Sequence, residues 1–331
     1  MYSDKNLTEL GWKFLRLLSR SFAFPPRDLA IELSTACDSD CGMCFRNTQK
    51  LASKTMSLTE FKKIAARLGE AFGPEGPAYV NFVGLGEIRL NPDLPGILAH
   101  FKKTFPRSAA NISTNLLAWD EPLFRGILAG GLADRISVSI DDTVDAGPAY
   151  HGSCAKVAAN IKALSALNRA LGFPAELRLQ AVMISSEQAM RVLDLAAEAG
   201  AGILNLNRMT PHGFPAGSRP ARPGDSEEKA ILAEARARGA RLGLEVWNNN
   251  TFNILMDLAS AWDRFCLTTD DHLFIDVDGR AAPCFCLRHL AWGSVIEKPL
   301  AELYRGKPDF YAMQPGACGG CDVYKKGRHD Q

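Results

Sequence analysis

From residue 28 onward the chain alternates short β-like runs with amphipathic helical stretches, and this alternation limits the possible folds more than any other feature. Strands are predicted at Leu29 to Leu33, Tyr79 to Val83, Ala109 to Ser113, Arg135 to Ile140, Leu177 to Met183 and Ile203 to Asn207. Helical stretches at 57–72, 93–104, 120–130, 154–171, 187–199 and 225–239 separate and follow them. Ser57 and Glu60 have the spacing of a capping box, and Gly130-Gly131, Gly172 and Gly200 mark helix ends. Strands joined through helices at this pitch pair in parallel with right-handed crossovers. Six units fall short of the eight in a closed barrel. In such folds chemistry gathers where strands run into the following loops. The unusual polar segments all lie there: the cysteine loop 37–44, Gly84-Leu85-Gly86-Glu87, Ser113-Thr114-Asn115 and Ser139-Ile140-Asp141.

Cys37, Cys41 and Cys44 are spaced C-x3-C-x2-C. Thiolates hold the irons of a [4Fe–4S] cluster, ordinarily four of them. Three cysteines leave one iron open to a small molecule. A zinc site is the rival reading, but zinc takes four ligands and the next histidine is His100. Gly84 and Gly86 allow a close backbone approach to a ligand, and Glu87 offers carboxylate acceptors for an ammonium group.

This set of motifs resembles the radical S-adenosylmethionine (SAM) superfamily. The resemblance implies an open, partial (β/α)6 TIM-like barrel. It also implies that the open iron binds the amine and carboxylate of SAM, whose reductive cleavage gives a 5′-deoxyadenosyl radical that takes a substrate hydrogen. Gly84, Gly86 and Glu87 resemble the family's G-G-E-P segment, which holds the methionine amine, with Leu85 and Ile88 departing from it. Thr114, Ser139 and Asp141 resemble segments that contact ribose, carboxylate or substrate, and Phe45 resembles the aromatic beside the adenine. Arg178, alone in an apolar run, is costly unless paired; it meets either the SAM carboxylate or a structural Asp. Where relatives carry Arg-Gly after the fourth strand, this chain has His151-Gly152.

A second cysteine set lies at Cys266, Cys284, Cys318 and Cys321, with Asp278-Gly279 as a hairpin turn between His272 to Val277 and Arg280 to Phe285. It resembles the SPASM/Twitch extension, and its count implies one auxiliary [4Fe–4S] cluster assisting electron transfer. A zinc ribbon is the alternative. Cys286 is a spare thiol, either inert, a substitute ligand or a hydrogen-atom donor, and Cys154 reads as a small buried residue. His212 and the Trp247-Asn248-Asn249-Asn250 segment are candidate pocket residues. The proline- and glycine-rich stretch 210–224 reads as a long loop.

The expected organisation is an N-terminal amphipathic extension (1–27), the partial barrel (28–242) and a small C-terminal iron–sulfur module containing a β-hairpin (243–331). The extension's helix, over 6–19, is expected to pack on the barrel rather than on a membrane surface. The 331 residues carry 38 basic and 37 acidic side chains, a net charge of +1, with no dense basic stripe. That balance excludes electrostatic nucleic-acid binding. No apolar run reaches membrane-spanning length and no export signal is evident. Nine cysteines without such a signal point to metal chemistry in a reducing cytoplasm rather than to disulfides.

The expected activity is radical SAM chemistry supplied with electrons by a flavodoxin or ferredoxin. Its substrate is a ribosomally made peptide, to be crosslinked, epimerised or oxidised. The alternative is dehydrogenation or rearrangement of a small molecule such as an aminocyclitol, sugar or cofactor precursor. A reading of another class is an iron–sulfur electron-transfer protein.

Overall fold

A computed structural model describes residues 24–26, 28–42, 44, 46, 49, 51–145, 153–208, 223–248, 265–266, 272–308, 310–313 and 324–325. The N-terminal helix expected over 6–19 lies outside them, as do Phe45, His151, Gly152, His212, Asn249, Asn250, Cys318 and Cys321.

Six parallel strands form the body of the sheet: β1 (Asp28–Ile31), β2 (Tyr79–Phe82), β3 (Ala109–Thr114), β4 (Arg135–Ser139), β5 (Glu176–Val182) and β6 (Ile203–Asn207). The intervening helices are α1 (Leu58–Phe72), α2 (Leu94–Thr104), α3 (Glu121–Ala129), α4 (Cys154–Ala170) and α5 (Ser186–Glu198), and α6 (Asp225–Leu242) follows β6. The capping box forms as predicted, with the Ser57 hydroxyl accepting from Glu60 N–H and Glu60 accepting from Ser57 N–H. Hydroxyl caps at Ser153 and Ser185 start α4 and α5 in the same way.

One face of β2 to β6 is apolar and covered by helices. Val80, Phe82, Ile112, Ile136, Val138, Leu179 and Leu206 belong to the same core as Phe61, Ile97, Phe101, Ile161 and Leu193. The intervening positions carry Asn81, Asn111, Ser113, Ser137, Ser139, Arg178, Gln180, Asn205 and Asn207, all half-buried. Side chains alternate between the two faces of a strand, so these polar groups share the concave face.

Among the described residues the sheet extends to ten strands. Beyond β6 comes β7 (Glu245–Trp247), parallel to it and three residues past the barrel limit read from the sequence. On the other side β9 (His272–Ile275) pairs in parallel with β1. It continues antiparallel to β10 (Arg280–Ala282), which pairs with β11 (Gly293–Ser294). The C-terminal hairpin thus extends the barrel sheet and covers what would otherwise be the free edge of β1. A separate pair joins β8 (Phe265–Cys266) to β12 (Tyr324–Lys325), with Tyr324 opposite Cys266. The helix α7 (Leu300–Arg305) and the short α8 (Phe310–Met313) complete the described elements.

The hairpin turn differs from the two-residue form expected. Asp276 pairs with Arg280 (Asp276 N–H to Arg280 O, 3.0 Å), and Gly279 N–H returns to Asp276 O at 2.8 Å, leaving a three-residue loop. Gly279 supplies the left-handed position (φ +72°) that such loops use. The wider loop is held by the buried Asp276 carboxylate, which accepts from Asp278 N–H, Arg280 N–H and the Arg280 guanidinium.

Candidate functional site: the cysteine loop and the ends of β1 to β5

The cysteine loop is clamped at its root. Ser34 bridges to Thr55. Thr35 N–H donates to Lys54 O at 2.8 Å, the Thr35 hydroxyl to Ala52 O at 2.7 Å, and the buried Asn91 amide to both Leu33 O and Met56 O at 2.8 Å. Within the loop Cys44 N–H donates to Cys41 O at 2.9 Å, and the Ser39 hydroxyl lies 3.2 Å from Cys41 Sγ. Cys41 is buried, and Cys37 and Cys44 are partly exposed.

The Gly84–Glu87 turn packs directly on this loop. A Cβ at Gly86 would lie 2.4 Å from Ser34 O and 2.6 Å from Ala36 O, so a side chain is excluded by backbone. Glu87 N–H donates to that same Ala36 carbonyl at 2.8 Å. The Glu87 side chain, 2% exposed, turns inward. It accepts from the Thr114 hydroxyl (2.6 Å), Asn115 N–H (2.7 Å) and Arg89 N–H (3.2 Å). Burial raises its pKa above the usual carboxylate range, and these three donors partly offset that. A carboxylate has about four acceptor positions, so three donors leave capacity for one more.

Asn115 closes the circuit. Its amide donates to Asp38 Oδ1 at 3.0 Å and to Cys37 Sγ at 3.8 Å, and Arg89 forms an ion pair with Asp38. Burial pushes the Cys37 thiol pKa up. The cysteine loop, Glu87 and Thr114 are thereby brought into one hydrogen-bonded group. Asn115, from the polar Ser113-Thr114-Asn115 strand end, belongs to it, and so does Arg89, which carries no motif signal in the sequence. Among the described residues no three of His, Cys, Asp and Glu converge on a point as ligands of a single ion would. Cysteines of a cubane cluster each meet a different iron and have no need to converge. The three thiols on one clamped loop, with an amide donor on one sulfur, are a donor set that suits such a cluster.

The neighbouring strand ends complete the rim. The register sets Thr114 beside Val138, so Ser139 is the next position along β4. Ser139 accepts from the Gln180 amide at 3.4 Å. Asp141 is 2% exposed and accepts from Val182 N–H at 3.0 Å. Next to it, buried Asp142 is gripped by Arg191 at 2.6 and 2.8 Å; burial would raise its pKa, but the guanidinium holds it below the ordinary value. Arg178 sits lower, level with Ser137, and its partner is the structural acid Glu176, reached at 2.7 and 3.2 Å, with the Trp247 ring 5.5 Å from the guanidinium. Asn248 donates to Leu206 O at 2.6 Å.

In the C-terminal segment Cys284 stands at the start of a 3-10 turn over Phe285–Leu290. A hydrogen bond from the Cys286 thiol brings its pKa down to about 7. Cys154 begins α4, 1% exposed, with burial pushing its thiol to about 11. No described helix is long and apolar enough to cross a membrane.

Residues 266–322 match the SPASM iron-sulfur cluster-binding domain. Streptococcus suis SuiB bound to S-adenosylmethionine superposes with a TM-score of 0.70 at 16% identity, over 98% of this chain and 77% of SuiB. SuiB bound to precursor peptide SuiA gives 0.69 at 16% identity, over 98% and 78%. Native anSMEcpe with bound AdoMet and Cp18Cys peptide gives 0.62 at 16% identity, over 90% and 87%. No curated protein matches the chain in sequence. Sequence motifs, sheet order and these matches agree: the chain has the open-barrel fold of the radical SAM enzymes and carries a SPASM iron–sulfur module at 266–322.

Proposed function

We propose that this chain is a radical SAM enzyme. The observation that carries the reading is the hydrogen-bonded group Thr114–Glu87–Asn115–Cys37, which ties the cysteine loop to the ends of β2 and β3. In it Cys37, Cys41 and Cys44 hold a [4Fe–4S] cluster. Gly84, Gly86 and Glu87 seat the methionine amine of SAM, and Thr114 and Ser139 help position its ribose or carboxylate, with Phe45 beside the adenine. Such a cluster and SAM, when bound, supply one-electron cleavage to a 5′-deoxyadenosyl radical that abstracts a substrate hydrogen. The chain's own part is to orient the ligand through the buried Glu87 and to keep water away from it. Cys266, Cys284, Cys318 and Cys321 would hold the auxiliary cluster, which would supply electron-transfer capacity to the site.

A peptide substrate is supported by the two relatives whose structures contain peptides, SuiB with precursor peptide SuiA and anSMEcpe with Cp18Cys peptide. A small hydroxylated or amino-bearing substrate is favoured by a different observation. The concave face carries Asn81, Asn111, Ser113, Ser137, Ser139, Gln180, Asn205 and Asn207, a lining matched to many hydrogen-bonding groups. Oxidation of substrate and delivery of electrons by a flavodoxin or ferredoxin belong to the same proposal.

Reduced, anaerobically reconstituted protein is expected to release 5′-deoxyadenosine from SAM. Deuterium should move into that product from a labelled peptide or a labelled small molecule, whichever is the substrate. Absence of 5′-deoxyadenosine from protein loaded with both clusters would favour an electron carrier instead. Replacing Cys318 by alanine is expected to retain cleavage within about twofold of wild type while product falls at least about tenfold, each tenfold being ~1.4 kcal/mol of barrier. Full product from that variant would remove the auxiliary cluster from the reaction.

A further inference from the structure

Glu32 follows β1 directly, five residues before Cys37, and is 0% exposed. Its partner is Arg288, 6% exposed, four residues after Cys284 in the C-terminal segment. The guanidinium meets the carboxylate through two contacts, Nη1 to Oε1 at 3.2 Å and Nη2 to Oε2 at 2.9 Å. The same carboxylate accepts Leu85 N–H at 2.9 Å, inside the Gly84–Glu87 turn, and Val277 N–H at 3.3 Å, inside the hairpin loop. Gly84 is bare for this reason: a Cβ there would lie 2.3 Å from Glu32 Cγ. Behind Arg288 stands the Asp276 carboxylate at 3.9 Å, itself committed to Arg280.

We propose that Glu32 and Arg288 are a positioning pair through which the C-terminal module fixes the SAM-binding turn. One buried carboxylate ties three segments together: the turn that seats SAM, the strand that launches the cysteine loop, and the stretch that follows an auxiliary-cluster cysteine. Neither charge is stable there alone, because an unpaired buried ion carries a large desolvation penalty. Docking of the module therefore fixes the Leu85 end of the turn, as the Glu87 N–H bond to Ala36 O fixes its other end. Coupling between sites is reciprocal, so SAM on the turn also strengthens docking of the segment from Cys284 to Arg288. Neither residue touches SAM in this scheme; both act through the Leu85 amide. The inference rests on the reading that SAM binds at this turn.

The test compares wild type, Arg288→Gln, Arg288→Lys and the doubly neutral Glu32→Gln/Arg288→Gln, each as the full chain carrying its clusters. SAM binding is read by equilibrium dialysis and by the change it causes in the electron paramagnetic resonance spectrum of the reduced protein. Amide hydrogen exchange of segments 83–87 and 276–278 is read without SAM. Arg288→Gln is expected to weaken SAM binding about 5–150-fold, the usual range of coupling between sites. Exchange should accelerate in those two segments but not in β3 to β5, and Arg288→Lys should recover part of both effects. The double variant leaves no uncompensated charge and so keeps the test open should Arg288→Gln fail to fold; it is expected to show the same weak binding and fast exchange at the turn. Wild-type affinity, within twofold, in either neutral variant overturns the proposal while leaving the functional reading intact. No response of the wild-type spectrum to SAM overturns the functional reading itself, and the positioning role with it.

Discussion

Replacing Cys41 by alanine is expected to abolish release of 5′-deoxyadenosine, a loss greater than the ~10–100-fold that removing an outer-shell partner of a metal site typically costs. Cys41 is a buried thiol of the three, with the Ser39 hydroxyl 3.2 Å from its sulfur, and its carbonyl receives the Cys44 amide. Alanine keeps the backbone bond and removes only the sulfur, so the loop retains its course while its donor set falls from three thiolates to two. Iron content should drop by about half, because the SPASM match supplies a separate set of cysteines for the second cluster. The informative comparison is Cys154→Ala. That thiol is 1% exposed at the start of α4, belongs to neither cysteine set, and has its pKa pushed up to about 11 by burial. It should leave iron content and SAM cleavage unchanged. Cleavage by Cys41→Ala at the wild-type rate would break the assignment of the loop.

The six parallel strands were legible because each carries its own local signal, a run of β-formers with helix starts and stops on either side. Ile203–Asn207 matches its expected limits, and the others shift by no more than two residues at either end. The capping box at Ser57 and Glu60 was legible for the same reason, since both partners lie within one turn. What escaped were pairings between distant segments. Nothing near His272 announces that β9 will lie parallel to β1, some 240 residues earlier in the chain. The strand at Glu245–Trp247 is only three residues long, too short for alternation to register. Asp278-Gly279 marked the hairpin correctly but not its loop length, which depends on the Asp276 carboxylate reaching over the turn.

The candidate site divides in the same way. Its residue types were readable where they cluster at strand ends, and Glu87 and Thr114 prove to be direct partners. Glu32 falls within the run Leu29 to Leu33 and Arg288 in a cysteine-rich segment, but nothing local to either pairs them; the fold buries them against one another. Arg178 illustrates a signal that was present. Glu176, two residues earlier on the same strand, necessarily points to the same face, and it takes the guanidinium.

Gly86→Ala is the second substitution with a large expected effect, and here the cause is steric. Many glycines serve for their backbone freedom, but Gly86 has no positive φ to demand it. The constraint is space: the new methyl would meet Ser34 O at 2.4 Å and Ala36 O at 2.6 Å. Both obstacles are backbone atoms at the root of the cysteine loop, which the Thr35 and Asn91 hydrogen bonds hold in place and which cannot rotate aside as a side chain could. The turn must move instead, and the Glu87 N–H bond to Ala36 O breaks as it does. Forced overpacking of this kind costs about 1–3 kcal/mol, which denaturant titration of the full chain can measure. Because Glu87 moves with the turn, its carboxylate loses register with Thr114 and Asn115, and SAM affinity should fall at least about tenfold, equivalent to ~1.4 kcal/mol. Gly126→Ala is the matched comparison, since that helical glycine has nothing within 4 Å of its added Cβ and lies outside the site. If Gly86→Ala binds SAM as wild type does, with unchanged stability, the turn and the loop are not in the close contact on which the site depends.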